Sequence, residues 1–462
     1  MASRALTSSL WAQSLKRHYP PLTEDRTVDV VVVGAGIAGM LTAALLRETG
    51  REVLVVERDL VGGVATRNTT AKVTALQGHV LSTIEEIRGQ DAALAYASAQ
   101  SDAVEGLRAL IERLDVDCAV TASDAITYAA SDEGVSRVAD ELRAAQLAGL
   151  AVESTTDVGA PFDVLAAIVL RDQFHINPAQ LCQQLAAGLG DDGVVEATTV
   201  TDITEGTEQA IVTTELGARV FASHAVLATQ APIVDPMLLA DRCSPMQSYV
   251  VSLRANGPVS QTMCLSADDF TISLRPAEFE GEQILIVGGN GHRMGESASS
   301  DRWSALEAWA AKHVGQTEVL HRWATHDLVT SDHVPFIGRL KSGAERRWLA
   351  TGFGKWGMTN GYVAARLITD GVCQNEPQPW ASTFDSTRVR ASLTHEMKSN
   401  IGAAVHHLVG DRIARRPEPR CTHQGCVLRR DDALDTWDCP CHGSRFEADG
   451  TVIQGPANAP LK

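Results

Sequence analysis

Four cysteines and two histidines are gathered into two short boxes within the last fifty residues, Cys421-Thr422-His423-Gln424-Gly425-Cys426 and Cys439-Pro440-Cys441-His442-Gly443-Ser444. Thiolates and imidazoles are metal ligands. Clustered cysteines in a chain whose first residues show no secretory signal suggest a metal site before a disulfide scaffold. Two chemistries use two ligands of each kind. Tetrahedral zinc is one. A [2Fe–2S] cluster, with two thiolates on one iron and two imidazoles on the other, is the second. Plain disulfides are a third reading. Zinc leaves two of the four cysteines unexplained, and the Pro-Cys-His-Gly-Ser context is unlike a zinc site. Cys118, Cys182, Cys243, Cys264 and Cys373 are scattered singly, as small buried hydrophobes usually are.

A second chemistry-bearing run lies near the N-terminus. Gly34-Ala35-Gly36-Ile37-Ala38-Gly39 follows the valine-rich stretch Thr27 to Val33, which reads as a buried parallel strand. Met40 to Glu48 has helical composition, Gly50 ends that helix, and Glu52 to Val56 reads as the next strand, with Glu57 at its tip. Strand, glycine turn, helix and second strand together form a dinucleotide-binding fingerprint. Gly34 permits the tight turn, Gly36 lets the backbone approach a pyrophosphate, and Gly39 lets helix and strand pack closely. The helix N-terminus offers N–H groups to phosphates. Glu57 can accept hydrogen bonds from ribose hydroxyls. The same arrangement accounts for the apolar run Val28 to Leu46, whose length approaches a membrane span.

The fingerprint alone does not choose between FAD and NAD. Asp332 to Gly338, the strand Arg347 to Thr351, the loop Gly352-Phe353-Gly354-Lys355-Trp356-Gly357-Met358-Thr359-Asn360-Gly361 and a small-residue helix from Tyr362 to Thr369 resemble the closing segment of the D-amino-acid-oxidase-like FAD oxidoreductases. The resemblance implies that the glycine loop and helix end sit against the flavin pyrimidine. Ala225 to Thr229 resembles the family's middle strand, with Gln230 where that strand often has glycine. Gly62 to Lys72 resembles its second flavin-contacting segment. The cofactor contacts so implied are Gly34, Gly36, Ile37, Ala38, Gly39, Glu57, Arg58, Thr66, Asn68, Thr69, Thr70, Val200, Ala228, Thr229, Gly338, Gly352, Gly354, Trp356, Gly357, Met358 and Thr359.

The two C-terminal boxes resemble the Rieske family. The resemblance implies Cys421 and Cys439 on one iron, His423 and His442 on the other, and a disulfide between Cys426 and Cys441. Gly455-Pro456-Ala457 resembles the loop that shields the cluster. Two departures stand out. Phe446 replaces the tyrosine whose hydroxyl bonds a cysteine sulfur in high-potential members, whereas Ser444 keeps the other expected hydroxyl. Hydrogen bonds to sulfur tune the potential, so a cluster in the middle or lower part of the Rieske range is expected. The unit is also short: only Asp411 to Arg420 precedes the first box. A fragment of this size must lean on the flavin domain, on a partner, or on its own metal and disulfide; failing these, it would be a relic that no longer loads iron.

Between the sites, Asp91 to Leu114 and Val135 to Leu147 have helical, alanine-rich patterns within the segment Gly78 to Val152, read as a cap. Phe174 to Pro178 leads into a helix, Ala179 to Leu189, and Val194 to Val200 is expected near the adenine. Met246 to Leu253, Phe270 to Leu274 and Gln283 to Val287 read as strands of a substrate sheet. Arg275, at the end of one strand, is a candidate for a substrate carboxylate, because its planar fork suits that anion. His292, in the loop after the next strand, and Lys355 and Trp356, in the glycine loop, complete the catalytic candidates. The expected fold is α/β. A Rossmann-type FAD/NAD(P)-binding domain (27–85 with 155–235 and 325–373) follows an N-terminal extension (1–26). It carries an inserted α+β cap and substrate domain (86–154 with 236–324). A connector (374–415) leads to a truncated all-β Rieske domain (416–462).

The net charge of −17 argues against nucleic acid or an anionic membrane as partner. The function expected is a cytoplasmic FAD-dependent oxidoreductase without a membrane span. It would oxidise a small molecule, an amine or amino acid, by hydride transfer to flavin. Electrons would pass singly through the cluster to an external acceptor, a ferredoxin-like protein or a quinone. A reductase or oxygenase-like enzyme charged through the cluster, and a redox sensor without turnover, are the alternatives.

Overall fold

The computed structural model describes residues 8–16, 18–160, 162–256, 259–296, 301–315, 317–388 and 418–462. The first strand, Arg26–Val33, is buried on both faces because its valines alternate between two cores. Val30 and Val32 join the core under the helices, and Val31 and Val33 join the core on the opposite face. That is the usual environment of a parallel strand. It pairs in parallel with Val53–Val56 on one side and Arg219–Leu227 on the other. Arg347–Thr351 continues the parallel set, and Phe336–Arg339 closes that edge antiparallel. The helix Ile37–Glu48 lies against the sheet.

Two glycines make the turn. Gly34 has φ +104°, and a Cβ there would stand 2.6 Å from the carbonyl oxygen of Ala228. A Cβ on Gly39 would stand 1.9 Å from the carbonyl oxygen of Gly34. The helix near the C-terminal end of this unit begins at Gly357 and runs to Cys373, earlier than Tyr362, because the glycine loop itself supplies its first turn. Gly361 is where it meets Ile37 and Ala38 of the first helix.

A nine-stranded sheet forms the other layer, in the order Thr317–Thr330, Cys243–Ala255, Glu282–Arg293, Ile272–Phe279, Met263–Ser266, Thr121–Ala129, Ala166–His175 and Lys72–Val73, with Glu153–Thr155 beside Ala166–His175. Three of these strands correct the sequence reading. Ile272–Phe279 runs beyond Leu274, pairing through Pro276 to Phe279 with Glu282–Gln283 at its far end. Arg275 is therefore inside a strand. His292 lies within Glu282–Arg293 and pairs with Gln247, so it is not in a loop. Thr121–Ala129 is a strand inside the segment read as helical cap. The helices Gln90–Arg113 and Asp132–Leu147 flank it.

The C-terminal residues form a four-stranded antiparallel sheet of three-residue strands, Arg429–Asp431, Thr436–Asp438, Arg445–Glu447 and Val452–Gln454. Its core holds Cys421, Cys426, Leu428, Cys439, Phe446 and Ala457. Most of the expected connector, 389–415, lies outside the described residues. Among the described residues no helix is long and apolar enough to cross a membrane.

Two predictions follow from this frame. Gly39→Val forces the Gly34 carbonyl out of its position, so the variant should retain little FAD; the ratio of flavin absorbance to protein after gel filtration measures this. The second concerns Asp332, which accepts from Arg388 at 3.0 and 3.1 Å and lies 3.6 Å from Arg88. Burial raises its carboxyl, but the charge and hydrogen bonds of Arg388 outweigh that and hold it below the ordinary 3.8. The pair's contribution is thus full above that value and drains away as pH falls below it. Asp332→Ala strands a buried guanidinium and should cost about 3–5 kcal/mol at neutral pH, with a smaller deficit near pH 3, read from urea midpoints.

Candidate functional site

A cavity of about 790 Å³ opens between the parallel sheet and the nine-stranded sheet. Of the expected cofactor contacts, Gly34, Gly36, Ile37, Ala38, Glu57, Arg58, Thr66, Asn68, Thr69, Thr70, Val200, Ala228, Thr229, Gly352, Gly354, Trp356, Gly357 and Met358 all line it. Gly39, Gly338 and Thr359 do not. Gly39 works behind the turn, as above. Gly338 faces Ser386. The Thr359 hydroxyl accepts from Gln77 at 3.0 Å.

That last contact belongs to a buried polar network. Gln77 also donates to Gln100, Gln100 donates to Asn360, and the Tyr96 hydroxyl donates to Gln77. Asn360 donates in turn to the carbonyl of Phe353 at 3.1 Å. The glycine loop is therefore pinned from the cap helix. At the fingerprint, Glu57 accepts from the N–H of Ala35 at 2.7 Å and of Asp59 at 2.8 Å; burial raises its pKa. The Thr66 hydroxyl accepts from the Ile37 N–H at the helix start.

The catalytic candidates separate. Lys355 and Trp356 border the cavity, and Arg275 and His292 do not. The Arg275 guanidinium is buried and donates to the carbonyls of Thr70, Ile176 and Pro276. Its Nε and Nη1 are committed to the backbone, and the side chain does not line the cavity. His292 donates through Nδ1 to the Arg293 carbonyl and accepts from the Tyr249 hydroxyl at 3.0 Å. Lys355 is exposed on the cavity side; desolvation by the surrounding walls lowers its pKa and Asp327 pulls it back up.

In the C-terminal sheet, Cys426 and Cys441 form a disulfide. Their sulfurs and that of Cys439 lie within 4.8 Å of one another, so the disulfide braces the second box from behind. Cys421 and Cys439 are free thiols and buried. Cys439 beside it, then backbone N–H groups of His423 and Gln424 and the Ser444 hydroxyl, lower the pKa of Cys421, which favours the thiolate form that binds iron. The rings of His423 and His442 stand 5.2 Å apart. His423 Nδ1 is buried with no hydrogen-bond partner, as a nitrogen reserved for metal should be. His442 donates through Nε2 to Asp241 at 2.7 Å, which leaves its Nδ1 as the ligand atom. Two thiols, two imidazoles and a separate disulfide fit a Rieske cluster.

This unit rests on the flavin-side domain. Arg445 is buried and donates to Asp438 at 2.7 and 2.8 Å and also to Gln247. Gln247 donates to Asp431. Arg58 donates to the carbonyl of Ile453 at 2.7 Å. Gln454 donates to Gln230, whose amide N–H donates to the His326 carbonyl. Gln454, Gly455 and Asn458 border the cavity itself. His326 does so too, and its ring donates to the Gly443 backbone carbonyl. Sequence reasoning missed Asp241, Gln247 and His326, whose partners across the joint lie 96 to 201 residues away. Gln230 had one signal: a non-glycine residue at a glycine position. Its φ is +64°, the left-handed region that explains the usual glycine, and its side chain is spent on the joint.

Phe446 is fully buried in the small core. Phe446→Tyr restores a hydroxyl beside the cluster sulfurs. One added hydrogen bond of about 1 kcal/mol corresponds to a rise on the order of 40 mV for a one-electron couple, to be read by EPR-monitored redox titration. An unchanged potential would mean that the hydroxyl does not reach sulfur.

Residues 29–371 match the family model described as FAD dependent oxidoreductase (DAO), and residues 411–462 match the Rieske [2Fe-2S] domain. The chain is 30% identical over 485 residues to YhfW of Bacillus subtilis (strain 168), named for a Rieske 2Fe-2S iron-sulfur protein; 96% of this chain and 94% of that one are covered. It is 26% identical to the gamma-glutamylputrescine oxidoreductase of Escherichia coli (strain K12), over 79% of this chain and 88% of the relative. Glycine oxidase from Geobacillus kaustophilus shares the fold, with TM-score 0.66 and 18% identity over 79% of this chain and all of that structure. The chain therefore belongs to the D-amino-acid-oxidase-like family of FAD dependent oxidoreductases and carries a Rieske [2Fe–2S] domain at its C-terminal end.

Proposed function

We propose that this FAD-dependent enzyme oxidises a small amine or amino acid and passes the electrons singly to an external acceptor, a ferredoxin-like protein or a quinone. When bound, FAD accepts a hydride from carbon, and the cluster exchanges one electron at a time. The observation that carries the reading is the shared wall between the two sites. His326 borders the cavity on one side and donates to the Gly443 carbonyl, beside the ligand-candidate His442, on the other. Asp241 fixes His442 toward the flavin domain, while His423 is only half-buried and offers the outward side to an acceptor.

The chain's own residues supply position and exclusion of water. The Gln77–Gln100–Asn360 network holds the glycine loop in place. Lys355 presents a cation to the cavity beside that loop. An uncharged amine can give up hydride without an obligatory base. The named activities of the relatives support the substrate class: one acts on gamma-glutamylputrescine and one on glycine.

The test is anaerobic stopped-flow mixing with a panel of amines and amino acids. A productive substrate should bleach the flavin band first and bring up the rhombic EPR signal of the reduced cluster second, without dithionite. Flavin bleaching with the cluster left oxidised would sink the relay. Cluster reduction by ferredoxin, followed by flavin reduction, would establish current in the opposite direction.

A further inference from the structure

A cluster of buried bases stands beside the cavity and is used by nothing described above. Lys72 and His175 are direct cross-strand partners. Arg275 acts electrostatically on both. All three side chains are buried. The charged groups that act on them are one another and Cys264; no carboxylate is among them. Arg275 is committed to three carbonyls. Both ring nitrogens of His175 are buried without a hydrogen-bond partner. Lys72 alone of the three borders the cavity. Its Nζ donates to the Cys264 carbonyl at 2.6 Å, the one hydrogen bond it makes among the described residues. An ammonium has three donors, so two remain.

An ammonium buried without a counter-charge is costly. An anion arriving from the cavity would supply both the charge and the acceptors. We propose that Lys72 is the specificity-determining residue of this cavity and reads a carboxylate on the small-molecule substrate, a proposal that rests on the cavity being the site of substrate oxidation. Lys72 takes the task that is closed to Arg275, which does not border the cavity. Its place fits substrate and not pyrophosphate: it shares the wall with Ser266, Ser273 and Gly288 of the nine-stranded sheet, away from the glycine fingerprint. The acids on the cavity wall are engaged elsewhere. Glu57 accepts from the fingerprint backbone, Asp269 pairs with Arg137 at 2.8 Å, and Asp327 faces Lys355. Lys355 is thus balanced within the protein and Lys72 is not. Burial lowers the pKa of Lys72 to about 7, as expected of an ammonium missing its partner.

The experiment titrates the oxidised holoenzyme with acetate and benzoate, and with the uncharged isosteres acetamide and benzamide, following the flavin absorbance band. The carboxylates should perturb it and bind at least about tenfold more tightly than the amides. Lys72→Met should weaken carboxylate binding about 10- to 100-fold and leave amide binding and the flavin spectrum unchanged. Lys72→Arg should keep most of the preference. Equal binding of acid and amide by wild type, no carboxylate binding at all, or an undiminished preference in Lys72→Met overturns the proposal. If Lys72→Met fails to load FAD, wild type and Lys72→Arg still decide. Flavin reduction by an amine without a carboxylate, together with equal binding of acid and amide, sinks the role of Lys72 and leaves the oxidoreductase reading standing.

Discussion

A guanidinium withdrawn from water ties the two redox sites together. Arg445 lies in the seam between the C-terminal sheet and the substrate-side sheet, held by Asp438 from its own unit and by Gln247 from the other. The arrangement answers a size problem. Strands of three residues around six core side chains bury too little apolar surface to stand alone. A buried charge is a costly way to gain stability, but it tolerates little displacement of its partners. Around it, His442–Asp241, Arg58–Ile453 and Gln454–Gln230 act as lesser fasteners. The cluster loops can then occupy one position relative to the flavin cavity.

The same device recurs within the flavin domain. Gln77, Gln100, Tyr96, Thr359 and Asn360 form a closed polar set in an otherwise apolar core. Each member would be costly to bury alone, and together they set the glycine loop by its Phe353 carbonyl. A cap helix, a linker residue and the last helix of the parallel unit are thereby locked to one another. The glycine loop on the cavity wall is thus held by Gln100, Tyr96, Thr359 and Asn360, which do not line the cavity, as well as by Gln77, which does.

What was legible in the sequence follows the reach of each interaction. The fingerprint and the two Cys/His boxes depend on neighbours within a few residues, and both stand where their spacing put them. The Thr27–Val33 strand was readable because its double burial leaves an unbroken valine run. Arg275 was misplaced because Pro276 looks like a strand end, whereas pairing with Leu285 carries the strand past it. Thr121–Ala129 was hidden between two helices because its alanines and threonines carry little β signal against that background. Lys72 opposite His175, Asp241 under His442 and Gln247 against Arg445 depend on pairings made by the fold. The shortness of the C-terminal unit gave an advance sign of a seam and the odd residue at position 230 marked one point on it, but its meaning needed the structure.

Gln454, Gly455 and Asn458 belong to the small C-terminal unit and yet form part of the wall of a cavity whose opposite wall begins at Val33. The compartment is therefore closed only when that unit sits in its place. Shifting the unit would open the cavity to water as well as move Cys421, His423, Cys439 and His442, so that damage at either site is felt at the other.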